Sequence, residues 1–524
     1  MKRLNAKSEI RNLFFRSWQG LCHWSFRFEN CLGFRNQRLE FYRIVVIFFF
    51  NLVLFCASKQ NGITIVFDAP PLNLDPHLRK EIVTISILSN IYETLLSFDA
   101  NMKMEPGLAE YWERIDSLRW RFYLGNGIKF HNGKILSSED VLYSLYRPLN
   151  IQESEYATYR DYLDTVLIED KDRFIIKLKK PYPLLLYDLA TIFIVPENFQ
   201  PEMASPCGTG PYYFFKMEGQ RIGLRYFSDY RTDVAIKEIQ FLFVSEPQKR
   251  IELLRKRQAD IVTFIPLDLL DDLKRSGQVV ATPGVATRYL EMDLRKFPYS
   301  KREFRQAINL ALNRERIVKE VYHGYAAPAN QFIPQGLFGF DYTLPLFLYN
   351  PDSAKKIIKR LGPLPEIELD FALVRAFIGA AIIDDLKNAG IKVKANPLSA
   401  DKFWQKIEHK KSSFYLIGSV PTSNEGITTL KNTLHTYLPQ KGLGMQNQTG
   451  YSNLRVDSLI EETVQISDLK KATRLLIEAQ RILLRDLPKI PVVWEKEIYG
   501  TSERIDWTPR LDEKIIVKEI KLRK

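Results

Sequence analysis

Few residues in this sequence are of a type and spacing that could carry out chemistry. Cys207 stands directly before Gly208-Thr209-Gly210, and His131 or His323 would be the base if its thiol acted as a nucleophile. The competing role for Cys207 is that of a small buried hydrophobe. Gly208 and Gly210 suit backbone geometry rather than phosphate binding, since no helix opening on Lys-Ser/Thr follows them. The sequence contains no G-x-S-x-G, no H-E-x-x-H and no paired-cysteine metal motif, and its six histidines are scattered singly. These absences argue against a hydrolase or a metal enzyme, and no cofactor is expected.

The chain that must position these residues has 524 amino acids, 45% of them hydrophobic, enough for about two to four domains. Four cysteines in that length exclude a disulfide scaffold. The net charge of +13 is shared between residues 1–56, which contribute +6, and a long remainder in which basic and acidic side chains alternate, as in Lys249 to Asp260. A nucleic-acid footprint would need one clustered basic face with stacking aromatics, and none is present. Ile44 to Phe55 is a twelve-residue apolar run, interrupted once at Asn51, behind Arg43; it has the length of a secretory leader core rather than of a bilayer span. Cys56 follows at once and resembles a lipoprotein cleavage site, with Phe55 in place of the usual small residue. Either this thiol carries a lipid at a membrane face, or it is a buried or discarded cysteine. Residues 1–43 exceed an ordinary basic leader segment, so translation is expected to begin nearer the core, at a codon such as that of Leu39.

Beyond residue 60 the pattern is mixed α and β. Ile63 to Phe67 is β-branched and predicts a strand. Leu88, Ile91, Tyr92, Leu95 and Leu96 recur at helical spacing. Trp120, Phe122 and Leu124 alternate and, with the Asn126-Gly127 turn before Ile128 and Phe130, predict a hairpin. Ser137 to Asp140 resembles a capping box opening a helix through Val141 and Leu145. Strands and helices interleave from about residue 236, with helix stops at Gly324, Gly362 and Gly390. This alternation implies α/β lobes, joined by several short crossings because no Pro/Gly/Ser linker separates them.

Five collinear segments carry a resemblance. They are Leu108 to Leu145, with Phe130-His131-Asn132-Gly133 as its glycine turn; Gly208 to Tyr212; Phe304 to Pro334; Tyr349 to Gly362; and Gly450 to Asn453 with Val456-Asp457. Together they resemble the extracytoplasmic solute-binding proteins of ABC importers, in the family that binds dipeptides, oligopeptides and nickel. The resemblance implies an α/β fold, a two-lobed periplasmic-binding-protein clamp of class II type with an extra α+β domain. The first lobe would comprise 57–88, 205–283 and 498–524, the extra domain 89–204, and the second lobe 284–497. It implies a monomeric, non-enzymatic receptor in the periplasm or cell envelope, capturing peptides and delivering them to a membrane permease. The alternatives are a nickel complex or other small solute, or a scaffolding or chaperone-like lipoprotein on the same fold. Family members tend to carry an apolar residue at the position of Cys207, in line with a packing role for the thiol.

The resemblance also points to a ligand site, from which this sequence departs. Peptide binders fix the ligand's α-amino group with an Asp after a Gly-Trp pair. Here Gly418 is followed by Ser419, Val420, Pro421, Thr422, Ser423, Asn424 and Glu425, with Ser419 in place of the Trp and Thr422 in place of the Asp. Thr422 accepts a hydrogen bond but cannot neutralise a buried ammonium, so the anchor is missing unless Glu425 supplies it. Arg375 falls near the arginine that holds the ligand carboxylate in dipeptide binders, and a guanidinium can grip a carboxylate through two parallel bonds. A solvated surface arginine is the other reading. Trp404 and Tyr415 are cavity aromatics or ordinary core, and His77 faces the cleft or is structural.

Overall fold

The β-branched run forms the expected strand, Gly62–Phe67, with Ile65 and Val66 fully buried. The computed structural model describes residues 61–78, 81–151, 157–200, 206–419, 426–466 and 468–523. The leader with Cys56 and the stretch from Val420 to Glu425 lie outside them.

An eleven-stranded sheet dominates the described residues. On one side, Gly62–Phe67 runs parallel to Ile261–Val262, and the antiparallel strands Tyr212–Glu218, Arg221–Tyr226 and Glu238–Phe243 extend the edge. On the other, Ile367–Ala372 lies between Val393–Leu398 and Phe414–Ser419, all three parallel. Between the two groups run two long strands, Gln278–Met292 and Lys489–Thr501, paired antiparallel along almost their whole length. Their register slips between Pro283 and Thr287 and again between Arg288 and Tyr289, as bulges do where a strand must bend. Where the sequence predicts several short crossings, the structure has two long continuous strands of 15 and 13 residues.

Each side has its own core. Leu290, Met292, Phe304, Ile308, Ile378 and Ile382 pack together on one side, and Ile65, Phe67, Ile87, Ile239 and Phe241 on the other. A separate four-stranded antiparallel sheet, Ala109–Arg114, Arg119–Leu124, Arg173–Leu178 and Leu163–Asp170, buries Phe122 stacked on Phe174 with centroids 5.4 Å apart. Against it packs the helix Ser138–Tyr146, opened by a capping box between Ser137 and Asp140 as the sequence predicts. Gly362 and Gly390 end their helices at a φ of +81°, a conformation that costs glycine nothing.

Two expectations are corrected. The helical spacing runs to Leu96, but the helix covers only Ile82–Ile91, and Leu96–Phe98 is a strand. Tyr92 turns extended because the Ile91 carbonyl is taken by the Gly210 N–H at 2.9 Å, a tertiary contact that local periodicity does not contain. The hairpin after Trp120 does not form either. Arg119–Leu124 pairs with its neighbours at 109–114 and 173–178, while Lys129 bridges Ile135 around the second Asn-Gly turn.

Candidate functional site

In open parallel sheets ligands bind beyond the carboxyl ends of the strands. Arg375 and Ser419 both occupy such ends. Arg375 closes the short turn Leu373–Arg375 after Ile367–Ala372, and Ser419 is the last residue of the strand that leads into 420–425. Leu373 and Val374 stand in solvent at 63% and 74% exposure, yet Arg375 folds back onto an acid. Its Nη1 lies 2.9 Å from Glu495 Oε1 on the long strand Lys489–Thr501.

Glu495 is shared. The Tyr322 hydroxyl donates to its Oε1 at 2.7 Å, and Arg288 pairs with its Oε2. Burial alone would raise the Glu495 pKa, but Arg288 and Arg375 with the Tyr322 hydroxyl outweigh that and hold it below the usual carboxylate value. Burial, followed by the Glu495 charge, pushes the Tyr322 phenol well up. Arg288 lies across Gly418, its partner in the strand register, where a β-carbon would overlap Arg288 Nη1. The glycine is what allows the guanidinium to lie flat and reach Glu495. Two arginines therefore face one carboxylate.

On the opposite face of the ribbon Ser419, Thr287 and Trp494 share one register row. Trp494 is buried, and its Nε1 has no hydrogen-bond partner. Sequence reasoning missed Arg288, Glu495 and Trp494. The available signal was a charge inside an apolar β run, as in Pro491 to Ile498, which must be paired or functional.

Other expected site residues are placed elsewhere. His77 is 1% exposed, with Nε2 2.8 Å from the Phe193 carbonyl and Nδ1 2.9 Å from Arg147, so the ring does not face open space. Trp404 is half exposed on the helix Ala400–Glu408 and meets Phe403 edge-on. Tyr415 is core, its hydroxyl donating to Glu291 Oε2 at 2.9 Å. Val420, Thr422, Asn424 and Glu425 lie outside the described residues.

Cys207 gains no base. Both nitrogens of the half-buried His131 ring are engaged: Nδ1 accepts from the Gly208 N–H at 3.3 Å and Nε2 donates to the Gly210 carbonyl at 2.9 Å. Burial lowers the imidazole to about 4 and raises the Cys207 thiol above its usual value. His323 is an exposed turn residue. Among the described residues no group of three or more His, Cys, Asp or Glu side chains could hold a metal ion. A cavity of about 120 Å³ beside Glu93, Arg231 and Arg510 shares no residue with the site at Arg375.

Residues 103–438 match the family model of bacterial extracellular solute-binding proteins, family 5 (middle region). The glutathione-binding protein GsiB of Salmonella paratyphi A is 25% identical over 481 residues, covering 87% of this chain and 93% of its own. The substrate-binding protein CtaP of Listeria monocytogenes superposes with a TM-score of 0.78 at 20% identity, over 88% of this chain and 99% of its own. The unliganded open form of the murein tripeptide-binding protein MppA gives 0.78 at 18% identity, over 88% and 98%. The chain belongs to family 5 of the bacterial extracellular solute-binding proteins. Its fold is the two-lobed clamp of that family, and its role is that of a substrate-binding component of ABC importers. Members of the family bind solutes for transport and are not enzymes. Among the described residues no helix is long and apolar enough to cross a membrane.

Proposed function

We propose that this chain captures short peptides with a free carboxylate outside the cytoplasmic membrane, closes its two lobes on them and delivers them to an ABC permease. In this reading 57–88, 205–283 and 498–524 form the first lobe, 284–497 the second and 89–204 the extra domain. The chain acts as a monomer, held at a membrane face through a lipid on Cys56. The observation that carries the reading is the position of Arg375. It is a guanidinium one-third exposed at the carboxyl end of a parallel strand, between apolar side chains that have no cover. A carboxylate next to an apolar side chain, the chemistry of a peptide's last residue, matches both features. The glutathione-binding relatives support a ligand of tripeptide size. Ser419, Val420, Thr422 and Asn424 would line the ligand, and Glu425 is the acid that would meet its ammonium.

Calorimetric titration of glutathione and of unmodified and C-terminally amidated tripeptides tests this. Arg375→Ala should weaken binding of the free-carboxylate peptides at least tenfold, or about 1.4 kcal/mol, and leave the amidated ones unchanged. Equal affinity of wild type and variant for every free-carboxylate peptide would remove Arg375 from the site. Co-purification of a nickel complex, or of no solute at all, would redirect the reading to another cargo or to a scaffold.

A further inference from the structure

The ion cluster around Arg375 is unbalanced in a way that the ligand reading alone does not explain. A pure anion receptor would leave its arginine facing solvent. Here Arg375 is already satisfied by Glu495, 15% exposed, which the Tyr322 hydroxyl and Arg288 hold from two other directions. Glu495 keeps Arg288 and Tyr322 if Arg375 leaves, so releasing Arg375 strands no buried charge. Arg375, on an exposed turn, is the one partner free to move. Glu495 comes from the ribbon between the two strand groups and Arg375 from a turn beyond the parallel strands, so the pair spans two separate elements.

We propose that Glu495 is a resident counter-ion that Arg375 exchanges for the carboxylate of an incoming ligand, so that Glu495 sets the selectivity and affinity for anions without contacting the ligand. This rests on Arg375 reading a carboxylate, as argued above. Two consequences follow from the charge count. A neutral solute cannot displace Glu495, which makes the site selective against amides. Every anionic ligand must compete with an internal carboxylate, which limits its affinity.

The test uses acetate as the probe, with acetamide as its neutral isostere, at constant ionic strength, read by thermal shift and isothermal titration on the full chain. Glu495→Gln keeps the shape and the hydrogen-bond acceptor but removes the competing charge. It should bind acetate at least tenfold more tightly than wild type and acetamide no better. Adding Arg375→Ala should abolish that gain. Glu495→Asp, which draws the carboxylate back by one methylene while leaving a charge for Arg288, should gain at least threefold and serves if the Gln variant fails to fold. A Glu495 that merely holds the turn in place would lower the melting temperature without any acetate-specific gain, and that result would overturn the proposal. A gain that survives removal of Arg375 would overturn it as well. Peptide titrations keep the two ideas apart. If Arg375→Ala leaves peptide affinity intact while the acetate gain depends on Arg375, the ligand reading fails and the exchangeable pair stands. If peptide affinity falls but no acetate gain appears, the reverse holds.

Discussion

Gly208→Ala is expected to lose about 3–5 kcal/mol of stability, more than any single change at the proposed ligand site. A β-carbon at Gly208 would overlap the Ile91 carbonyl oxygen and lie 2.8 Å from both Ile91 C and Tyr92 Cα. All three are backbone atoms, so no side chain can swing aside. Nor can Ile91 retreat, since its carbonyl accepts from Gly210 N at 2.9 Å. The glycine turn is clamped from its other side by His131, whose N–H donates to the Gly208 carbonyl at 2.9 Å while its ring spans Gly208 and Gly210. Pushing the turn away therefore breaks several hydrogen bonds together. Gly219 provides the control: its φ is +54° with nothing near its missing β-carbon, so alanine there should cost only about 1 kcal/mol of local strain. Urea midpoints of the two variants, compared at equal slope, measure the difference. Similar midpoints would show that the packing at Ile91 is slack.

A second large effect concerns Glu497 and Glu513. Burial, then the charge of Glu513, raises Glu497 to about 8, and burial, then Asp512, raises Glu513 to about 7. Phe67, Ile82, Phe264 and Tyr499 wall the recess that holds both. Glu495, Asp68 and Asp512 add negative charge around them. The nearby cations are committed elsewhere, Arg288 and Arg375 to Glu495, and Arg510 and Lys514 to Asp512. No ion pair among the described residues involves Glu497 or Glu513. An acid whose pKa is higher folded than unfolded binds more protons in the native state, so stability falls as pH rises between the two values. The window runs from about 4.5 to about 8. His131, lowered to about 4, acts in the opposite sense as pH falls from 6.5. The test is therefore the difference between Glu497→Gln and wild type rather than either profile alone. The two should be equally stable near pH 4, below the window, and the variant more stable by about 2–4 kcal/mol near pH 8.5. A difference independent of pH would mean that Glu497 is ionised in the native protein.

Much of the architecture was legible because it is written locally. The capping box at Ser137, the glycine stops at 362 and 390 and the β-branched strand at Ile63 each depend on residues within a few positions. What failed was non-local. The helix stops at Ile91 because of Gly210, more than a hundred residues later, and Arg119–Leu124 pairs with 109–114 and 173–178 rather than across the nearby Asn-Gly turn. The candidate site divides in the same way. Arg375 and the segment from Ser419 are candidates through their positions in a shared pattern. Glu495, Arg288 and Tyr322 converge from three distant stretches, and only the charge of Glu495 within an apolar run marks any of them. His77 stays open between cleft and structural roles in the sequence, because a loop position does not reveal that Phe193 and Arg147 close over the ring.

The ribbon formed by Gln278–Met292 and Lys489–Thr501 constrains how such a molecule can move. Its strands are hydrogen-bonded to each other on both sides of the slipped register, so they cannot swing like a linker whose bonds rotate freely. What they can do is twist, and torsion of a paired β ribbon resists in proportion to the angle. Shutting on a solute would then load a spring, and the recoil, rather than a random search of open shapes, would set how quickly the cargo is let go.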